Sequence, residues 1–143
     1  LTLKALYPKT TMLAQEPRSN AARELKQRTK RAGANIILAK PKEPVDIVVI
    51  DAPCSGLGRL RREPAIRFRW QKQDIKQFVS VQQEILEAAQ SYVKDSGIIV
   101  YATCSLLNAE NQHDLNGWTR ESKVLWPHKY DCDGFGYSIF RRK

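Results

Sequence analysis

The sequence predicts an α/β protein in which mainly parallel strands form a doubly wound sheet. Short apolar runs alternate along the chain with longer segments of helical periodicity, which is the order typical of this class. Two runs, Val45–Ile50 and Ile98–Ala102, are almost continuously apolar, as expected for strands buried on both faces of a parallel sheet. A chain of 143 residues has the size of one domain, so we expect a single domain over residues 1–143.

Local patterns predict the elements of the first third of the chain. Pro8 closes a helix end over residues 1–7, and Ser19 and Gly33 are residue types that cap the two ends of a helix through about Ala32. Two short strands are expected around this helix, over Thr11–Gln15 and Ile36–Ala39. Neither a strand nor a glycine-rich turn comes before Thr11, so we expect the sheet to be incomplete at its N-terminus.

The rest of the chain predicts one long loop, helices and a final strand pair. Glycines, arginines and a proline over residues 56–72 indicate a functional loop, followed by a helix over 73–79 that leads into another over 80–94. Four apolar residues at spacing four give the second helix its buried face: Val81, Ile85, Ala89 and Val93. Val124–Trp126 and Tyr137–Phe140 are expected to pair antiparallel.

Composition limits the class of protein. Three cysteines without framework spacing favour free thiols in a reducing, cytoplasmic setting, and no run approaches the ~20 apolar residues that a membrane span requires. His113 and His128 are isolated, so we expect no metal site. The net charge of +9 fits either a well-solvated surface or a polyanionic partner, most simply nucleic acid. Arginines cluster behind the first cysteine, interleaved with Phe68 and Trp70: Arg59, Arg61, Arg62, Arg67 and Arg69.

Two cysteines follow the two most apolar strands. Cys54 comes three residues after Asp51, and Cys104 comes directly after Thr103. Ligands of open α/β sheets bind outside the carboxyl ends of the strands, so both thiols are expected to face one cleft. A thiolate there is a nucleophile, and a second thiol beside it is an acid/base partner. Cys132 lies outside any motif.

Four stretches resemble the Sun (Fmu) family of RNA cytosine carbon-5 methyltransferases: DAPCSGLGRLRREP, WQKQDI, QQEILEAAQSYVKDSGIIVYATCSLLNAENQ and LWPHKYDCDGFGYSIFRRK. The resemblance covers essentially Thr11 to Lys143. It implies a Rossmann-like class I methyltransferase fold, S-adenosylmethionine as the cofactor, ribosomal or transfer RNA as the partner, and a cytoplasmic monomer that makes 5-methylcytosine. The resemblance also implies that Cys104 adds to carbon 6 of cytosine and that Cys54 assists product release.

Further roles come from the same resemblance. Asp51 is expected to hydrogen-bond the cytosine amino edge and ring nitrogen, and Asp51, Ala52 and Pro53 to contact the cofactor. Glu16 corresponds to the acidic residue that holds the cofactor's ribose hydroxyls. RNA contacts are expected from Pro53, Arg61, Arg62 and Arg67. Trp70 is expected to pack the loop rather than stack on a base.

Departures from the family pattern leave alternatives open. The glycine-rich cofactor loop is absent from the sequence, and Ala65 stands where the family commonly has Asp. We therefore expect the chain to bind S-adenosylmethionine weakly or not at all, and micromolar affinity in a calorimetric titration would contradict this. One alternative is a non-catalytic RNA-binding remnant that has lost cofactor binding. Another is a DNA-type enzyme in which Cys54 is the nucleophile, which the TCS element containing Cys104 disfavours.

Overall fold

The computed structural model describes residues 1–143 as two compact units, Leu1–Glu43 and Pro44–Lys143. The single domain predicted over the whole chain stays a prediction. The elements of the first unit are α1 (Thr2–Leu6), β1 (Met12–Ala14), α2 (Ser19–Arg31) and β2 (Ile36–Leu38). Strands β1 and β2 pair in parallel, which confirms the two short strands that the sequence predicts. None of the helices combines the length and the apolar character needed to cross a membrane.

Helix α2 carries an exposed basic surface in the first unit. Its C-terminal end is followed by Gly33 at φ +59°, a conformation that favours glycine. At its N-terminal end the capping position belongs to Arg18, so the prediction that Ser19 caps the helix is wrong by one residue. The basic side chains of the helix face solvent, as the sequence indicates for a solvated face: Arg23, Lys26, Arg28, Lys30 and Arg31.

The second unit contains a four-stranded sheet. Its elements are β3 (Val45–Asp51), two 3-10 turns (Leu57–Arg59 and Pro64–Phe68), α3 (Lys72–Ala89), β4 (Val93–Thr103), α4 (Asn108–Asn111), β5 (Trp118–Leu125), α5 (Pro127–Tyr130) and β6 (Phe135–Arg142). The strand order is β3-β4-β6-β5, with β3 and β4 parallel and the other two pairs antiparallel. The α/β class is confirmed, and so is the antiparallel C-terminal pair.

The core of the second unit lies between this sheet and α3. Tyr101 and Phe140 come from neighbouring strands and are almost wholly buried, and Leu86 of α3 packs in the same cluster. Val81 is 42% exposed while Gln82 is fully buried, so the predicted apolar face of the helix is turned by about one residue. The polar side chain of Gln82 occupies a position that an apolar pattern cannot reveal.

Strand β3 is less buried than its composition predicts. Ile50 is buried, but Ile47 and Val49 on the alternate face are 55% and 54% exposed. The reason is that the core cluster of this unit, which includes Leu86 of α3, packs on the face of β3 that carries Val48 and Ile50, so the alternate face is not covered by it. The expectation of burial on both faces is therefore wrong for this strand.

Three predicted boundaries also change. A single helix, α3, covers 72–89 where two helices were expected, and β4 begins at Val93, five residues earlier than predicted. Strand β5 begins at Trp118, six residues before the predicted start at Val124. The sequence missed this half of the strand because residues 119–123 are a continuous run of exposed polar residues without an apolar signal.

Candidate active site

Two cysteine-bearing loops meet at one edge of the sheet. Strand β3 ends at Asp51 and strand β4 ends at Thr103, and the residue after Asp51 extends the parallel pairing through an Ala52 N to Ala102 O hydrogen bond of 2.9 Å. This register brings Cys54 Sγ within 3.3 Å of Cys104 Sγ. Both side chains are partly exposed, so the pair can be reached from solvent.

The two thiols differ in acidity. The pKa of Cys104 is lowered to about 6, chiefly because the Cys54 thiol donates a hydrogen bond to it and also because the Arg59 guanidinium lies close; burial and the nearby Asp51 carboxylate act in the opposite direction. The pKa of Cys54 is raised, because its proton is held by the Cys104 sulfur and burial disfavours a second anion. These opposite shifts favour Cys104 as the thiolate and Cys54 as the thiol that donates a hydrogen bond to it.

Close backbone contacts hold the two loops to a turn before β6. Gly58 N donates to Cys104 O over 2.9 Å, and Gly134 N donates to Gly58 O over 2.8 Å. A Cβ atom on Gly58 would lie 1.9 Å from Gly134 O, which no side chain tolerates. Glycine is thus required at residue 58 for the approach of the three backbones.

Buried polar side chains lie behind the cysteine loops. Glu110 of α4 is fully buried and accepts hydrogen bonds from Ser55 N (2.8 Å), Ser55 Oγ (2.6 Å), Ser105 Oγ and Gln82 Nε2 (3.2 Å). Gln82 also donates to Pro53 O over 2.8 Å. Neither residue was assigned a role from the sequence. The available signal was an acidic residue six positions after Cys104 in a short polar turn.

The neighbouring Asn111 side chain holds the loop that carries Cys104 through three hydrogen bonds. Its Oδ1 accepts from Thr103 Oγ1 over 2.7 Å, and its Nδ2 donates to the carbonyls of Ser105 and Leu107, each over 3.0 Å. Asn108 makes no side-chain cap, since the capping position of α4 belongs to Leu107.

Trp70 packs the arginine-rich loop. Its indole Nε1 donates to Ser55 O over 2.7 Å, and its ring meets Phe78 edge-on at a centroid distance of 5.0 Å. The prediction that Trp70 packs rather than stacks on a base agrees with these contacts. The indole thus supports the loop that carries Cys54.

Two arginines predicted to contact RNA are ion-paired with the turn before β6. Arg61 Nη1 lies 3.0 Å from Asp131 Oδ1, and Arg62 pairs with Asp133. Arg67 differs, because its guanidinium lies 4.5 Å from the centroid of the Phe68 ring, and that ring is 78% exposed. Arg67 and Phe68 therefore form an accessible cationic and aromatic surface, whereas Arg61 and Arg62 join two loops.

The residues expected to hold the cofactor lie in both units. Asp51 and Pro53 are exposed at the end of β3, beside the cysteines, while Ala52 is buried. In the first unit, Glu16 accepts hydrogen bonds from Arg18 N, Nε and Nη2, at 3.0, 2.8 and 2.9 Å. These bonds lower the pKa of Glu16 to about 2. The carboxylate is thus ionised, as a group that binds a ribose diol must be, and Arg18 is its present partner.

No group of three or more His, Cys, Asp or Glu side chains in the chain is placed to hold a metal ion.

Comparison with known proteins identifies relatives of the chain. A family model described as 16S rRNA methyltransferase RsmB/F matches residues 2–123. Ribosomal RNA small subunit methyltransferase B of Proteus mirabilis is 36% identical over 106 residues, which are 68% of this chain and 25% of that protein. The protein of the same name from Photorhabdus laumondii is 40% identical over 92 residues, 62% of this chain and 21% of that protein. The chain thus spans about a quarter of the length of these relatives.

Solved structures share the fold. The structure of NSun6 from Pyrococcus horikoshii with SFG superposes with a TM-score of 0.84 at 22% identity, covering 97% of this chain and 43% of that one. A methyltransferase homolog from the same organism gives a TM-score of 0.77 at 23% identity, covering 93% and 53%. The fold is therefore the Rossmann-like fold of these methyltransferases. Because the family model covers most of its residues, the chain belongs to the 16S rRNA methyltransferase RsmB/F family.

Proposed function

We propose that the chain carries the reacting groups of an RNA cytosine carbon-5 methyltransferase that acts on ribosomal RNA and uses S-adenosylmethionine. The observation that carries the proposal is the 3.3 Å distance between Cys54 Sγ and Cys104 Sγ, on two loops that follow neighbouring parallel strands. Membership of an rRNA methyltransferase family supports the class of substrate. The lowered pKa of Cys104 supports its assignment as the nucleophile.

The first step is addition of Cys104 to the base. Carbon 5 of cytosine is a poor nucleophile, but a thiolate that adds to carbon 6 makes it enamine-like. With a pKa of about 6, Cys104 is mostly thiolate at neutral pH and needs no separate base. The exposed Asp51 carboxyl group lies at the same sheet edge, where it can hydrogen-bond the amino group and ring nitrogen of the base.

The second role belongs to Cys54. Its pKa is raised while Cys104 is a neighbouring acceptor and anion. Once the Cys104 sulfur is a thioether, that negative charge is gone, so the pKa of Cys54 falls. The Cys54 thiol then releases its proton to solvent, and the resulting thiolate accepts the proton from carbon 5. Loss of this proton re-forms the double bond, breaks the bond between sulfur and carbon 6, and returns the Cys104 thiolate.

Cofactor contacts are proposed for Glu16 of the first unit and, separately, for the residues that end β3 in the second unit. S-adenosylmethionine, when bound, supplies the methyl group for carbon 5. Glu16 would hold the ribose hydroxyls, since an ionised carboxylate accepts two hydrogen bonds and Arg18 would have to release it. Asp51, Ala52 and Pro53 would contact the cofactor from the end of β3.

The RNA is expected to contact the arginine-rich loop. Phe68 is exposed and Arg67 lies against its ring, so an unpaired base can stack there while the guanidinium meets phosphate. Pro53 lies beside Cys54 and would line the base pocket. Arg61 and Arg62 would contact RNA with the nitrogen atoms that their acidic partners leave available.

Cysteine variants test the proposal. The protein is incubated with small-subunit ribosomal RNA and with S-adenosylmethionine in an excess that compensates for the weak binding expected of this chain. Covalent complexes are separated under denaturing conditions. We expect Cys104→Ala to form no complex, and Cys54→Ala to accumulate one, because the adduct is made but not resolved. Cys132→Ser is the matched control and should resemble the unaltered protein. The reverse pattern would support Cys54 as the nucleophile. If no covalent complex forms with the parent protein or with either cysteine variant, the proposal is contradicted.

A further inference from the structure

A single buried carboxylate contacts both cysteine loops. Glu110 is fully buried, and its two oxygens accept four hydrogen bonds, from Ser55 N, Ser55 Oγ, Ser105 Oγ and Gln82 Nε2. All four donors are neutral, and no lysine or arginine pairs with the carboxylate. Burying a carboxylate without a cation is costly, so its complete satisfaction by donors indicates a specific task.

The donors are placed next to the reacting sulfurs. Ser55 directly follows Cys54, and Ser105 directly follows Cys104. Glu110 therefore accepts hydrogen bonds from each loop at the residue next to its cysteine. A serine hydroxyl has only one proton to donate. Since both hydroxyls direct that proton to the carboxylate, the 3.3 Å approach of the two Oγ atoms adds little by itself. The two loops are joined through Glu110.

A second contact completes this support on the Cys54 side. Gln82 Nε2 is shared between Glu110 and Pro53 O, the carbonyl just before Cys54. The backbone is thus held on both sides of Cys54, at Pro53 through Gln82 and at Ser55 through Glu110. A rotation of either loop that separated the sulfurs would have to break bonds to a buried charge.

We propose that Glu110 is a positioning residue that sets the distance between Cys54 and Cys104 by holding both cysteine loops. Its importance for methylation rests on the proposed function, but its effect on the two thiols is independent of RNA and cofactor. The carboxylate does not touch the base. It acts through Ser55 and Ser105 on the sulfur pair.

Thiol–disulfide exchange measures this positioning directly. In a glutathione redox buffer, two cysteine thiols and one glutathione disulfide give one Cys54–Cys104 disulfide and two glutathione thiols, so the equilibrium reports how well the sulfurs are placed. The variants are made with Cys132→Ser to remove the third thiol. Glu110→Gln keeps the shape but replaces one acceptor oxygen by a donor. We expect the equilibrium constant for disulfide formation to fall at least tenfold.

Further variants keep the test decisive. Glu84→Gln, an exposed position on α3, is the matched control and should leave the equilibrium unchanged. Ser105→Ala removes one donor and should lower the constant about threefold, which gives a result even if Glu110→Gln fails to fold. Circular dichroism identifies folded variants. In those, an unchanged equilibrium together with an unchanged pH profile of Cys104 alkylation would overturn the proposal.

The two proposals can fail separately. If the parent protein forms no RNA adduct while Glu110→Gln changes the thiol equilibrium, the methyltransferase proposal fails and the positioning role stands. If the parent forms the adduct and the folded Glu110→Gln variant keeps both the parent equilibrium and the parent pH profile of Cys104 alkylation, the positioning role is wrong.

Discussion

Replacing Cys54 by alanine should change the acidity of Cys104, and the size of the effect can be worked out. With a pKa of about 6, Cys104 is half ionised at pH 6. An ordinary thiol with a pKa of about 8.5 is roughly 0.3% ionised there, a difference of about 160-fold in thiolate. A thiolate of lower pKa is also a weaker nucleophile. With a Brønsted slope of about 0.4–0.5, a pKa lower by about 2.5 units reduces the rate constant of the thiolate by about tenfold to twentyfold. The net advantage of Cys104 at pH 6 is thus about tenfold.

Removing the Cys54 thiol takes away the largest cause of the lowered pKa, while the charge of Arg59 remains. The pKa of Cys104 in Cys54→Ala should therefore rise towards its usual range. Alkylation of Cys104 by iodoacetamide, followed by mass spectrometry of the peptide, should be several-fold slower than in the parent at pH 6. At pH 9 the order should invert, because both thiolates are then formed and the more basic one reacts faster.

The comparison uses a Cys132→Ser background, so that the only other alkylated thiol is Cys54 in the parent. The rate of Cys104 alkylation is measured from pH 5 to pH 10 in the parent and in Cys54→Ala. If the two rate profiles superimpose, the hydrogen bond between the thiols is not the cause of the lowered pKa of Cys104.

Three other predictions follow from the same geometry. Gly58→Ala should lower the free energy of unfolding, measured by urea denaturation, by about 2–5 kcal/mol. The added Cβ would lie 1.9 Å from Gly134 O and disturb two backbone hydrogen bonds. Gly33→Ala is the comparison, because a Cβ there meets no atom within 4 Å, and an equal loss of stability in the two variants would be inconsistent with the prediction. Phe68→Ala should weaken RNA binding about fivefold or more, the lower end of stacking on one base, and equal affinity in filter binding would argue against the stacking surface. Arg18→Ala should raise the pKa of Glu16 from about 2 towards its usual range, because the side-chain hydrogen bonds are lost while the backbone N–H of residue 18 still donates. The stabilisation of the folded protein by the Arg18–Glu16 pair is thus present above about pH 4 and lost as the pH falls towards 2. An NMR titration of Glu16 that is the same in Arg18→Ala and in the parent would contradict this.

Patterns of apolar residues predict the frame of the site well. Both strands before the cysteines are nearly pure apolar runs, and the rule that ligands bind at the carboxyl ends of strands then places Cys54 and Cys104 together. The structure agrees with this pairing. The rule about strand ends predicts at which edge of the sheet the cysteines lie, but it predicts no distance between them. The 3.3 Å contact between Cys54 Sγ and Cys104 Sγ therefore could not be derived from the sequence.

The polar support of the site lies beyond such patterns. Gln82 occupies a core position on α3, and a search for apolar periodicity instead selects the exposed Val81. Glu110 has the composition of a surface residue and is buried only because Ser55 and Ser105 are brought to it by strand pairing. Likewise, the insertion of β6 between β4 and β5 depends on contacts far apart in sequence. Such features depend on the assembled fold.

The covalent bond between protein and RNA gives the most direct test of the central claim that Cys104 is the nucleophile and Cys54 is not. RNA containing 5-azacytosine is suitable, because its ring has a nitrogen at position 5 and no carbon-5 proton through whose loss the adduct could be resolved. The trapped complex is digested and the modified peptide is sequenced by mass spectrometry. The account predicts a bond to the sulfur of Cys104. A bond to the sulfur of Cys54 would contradict it.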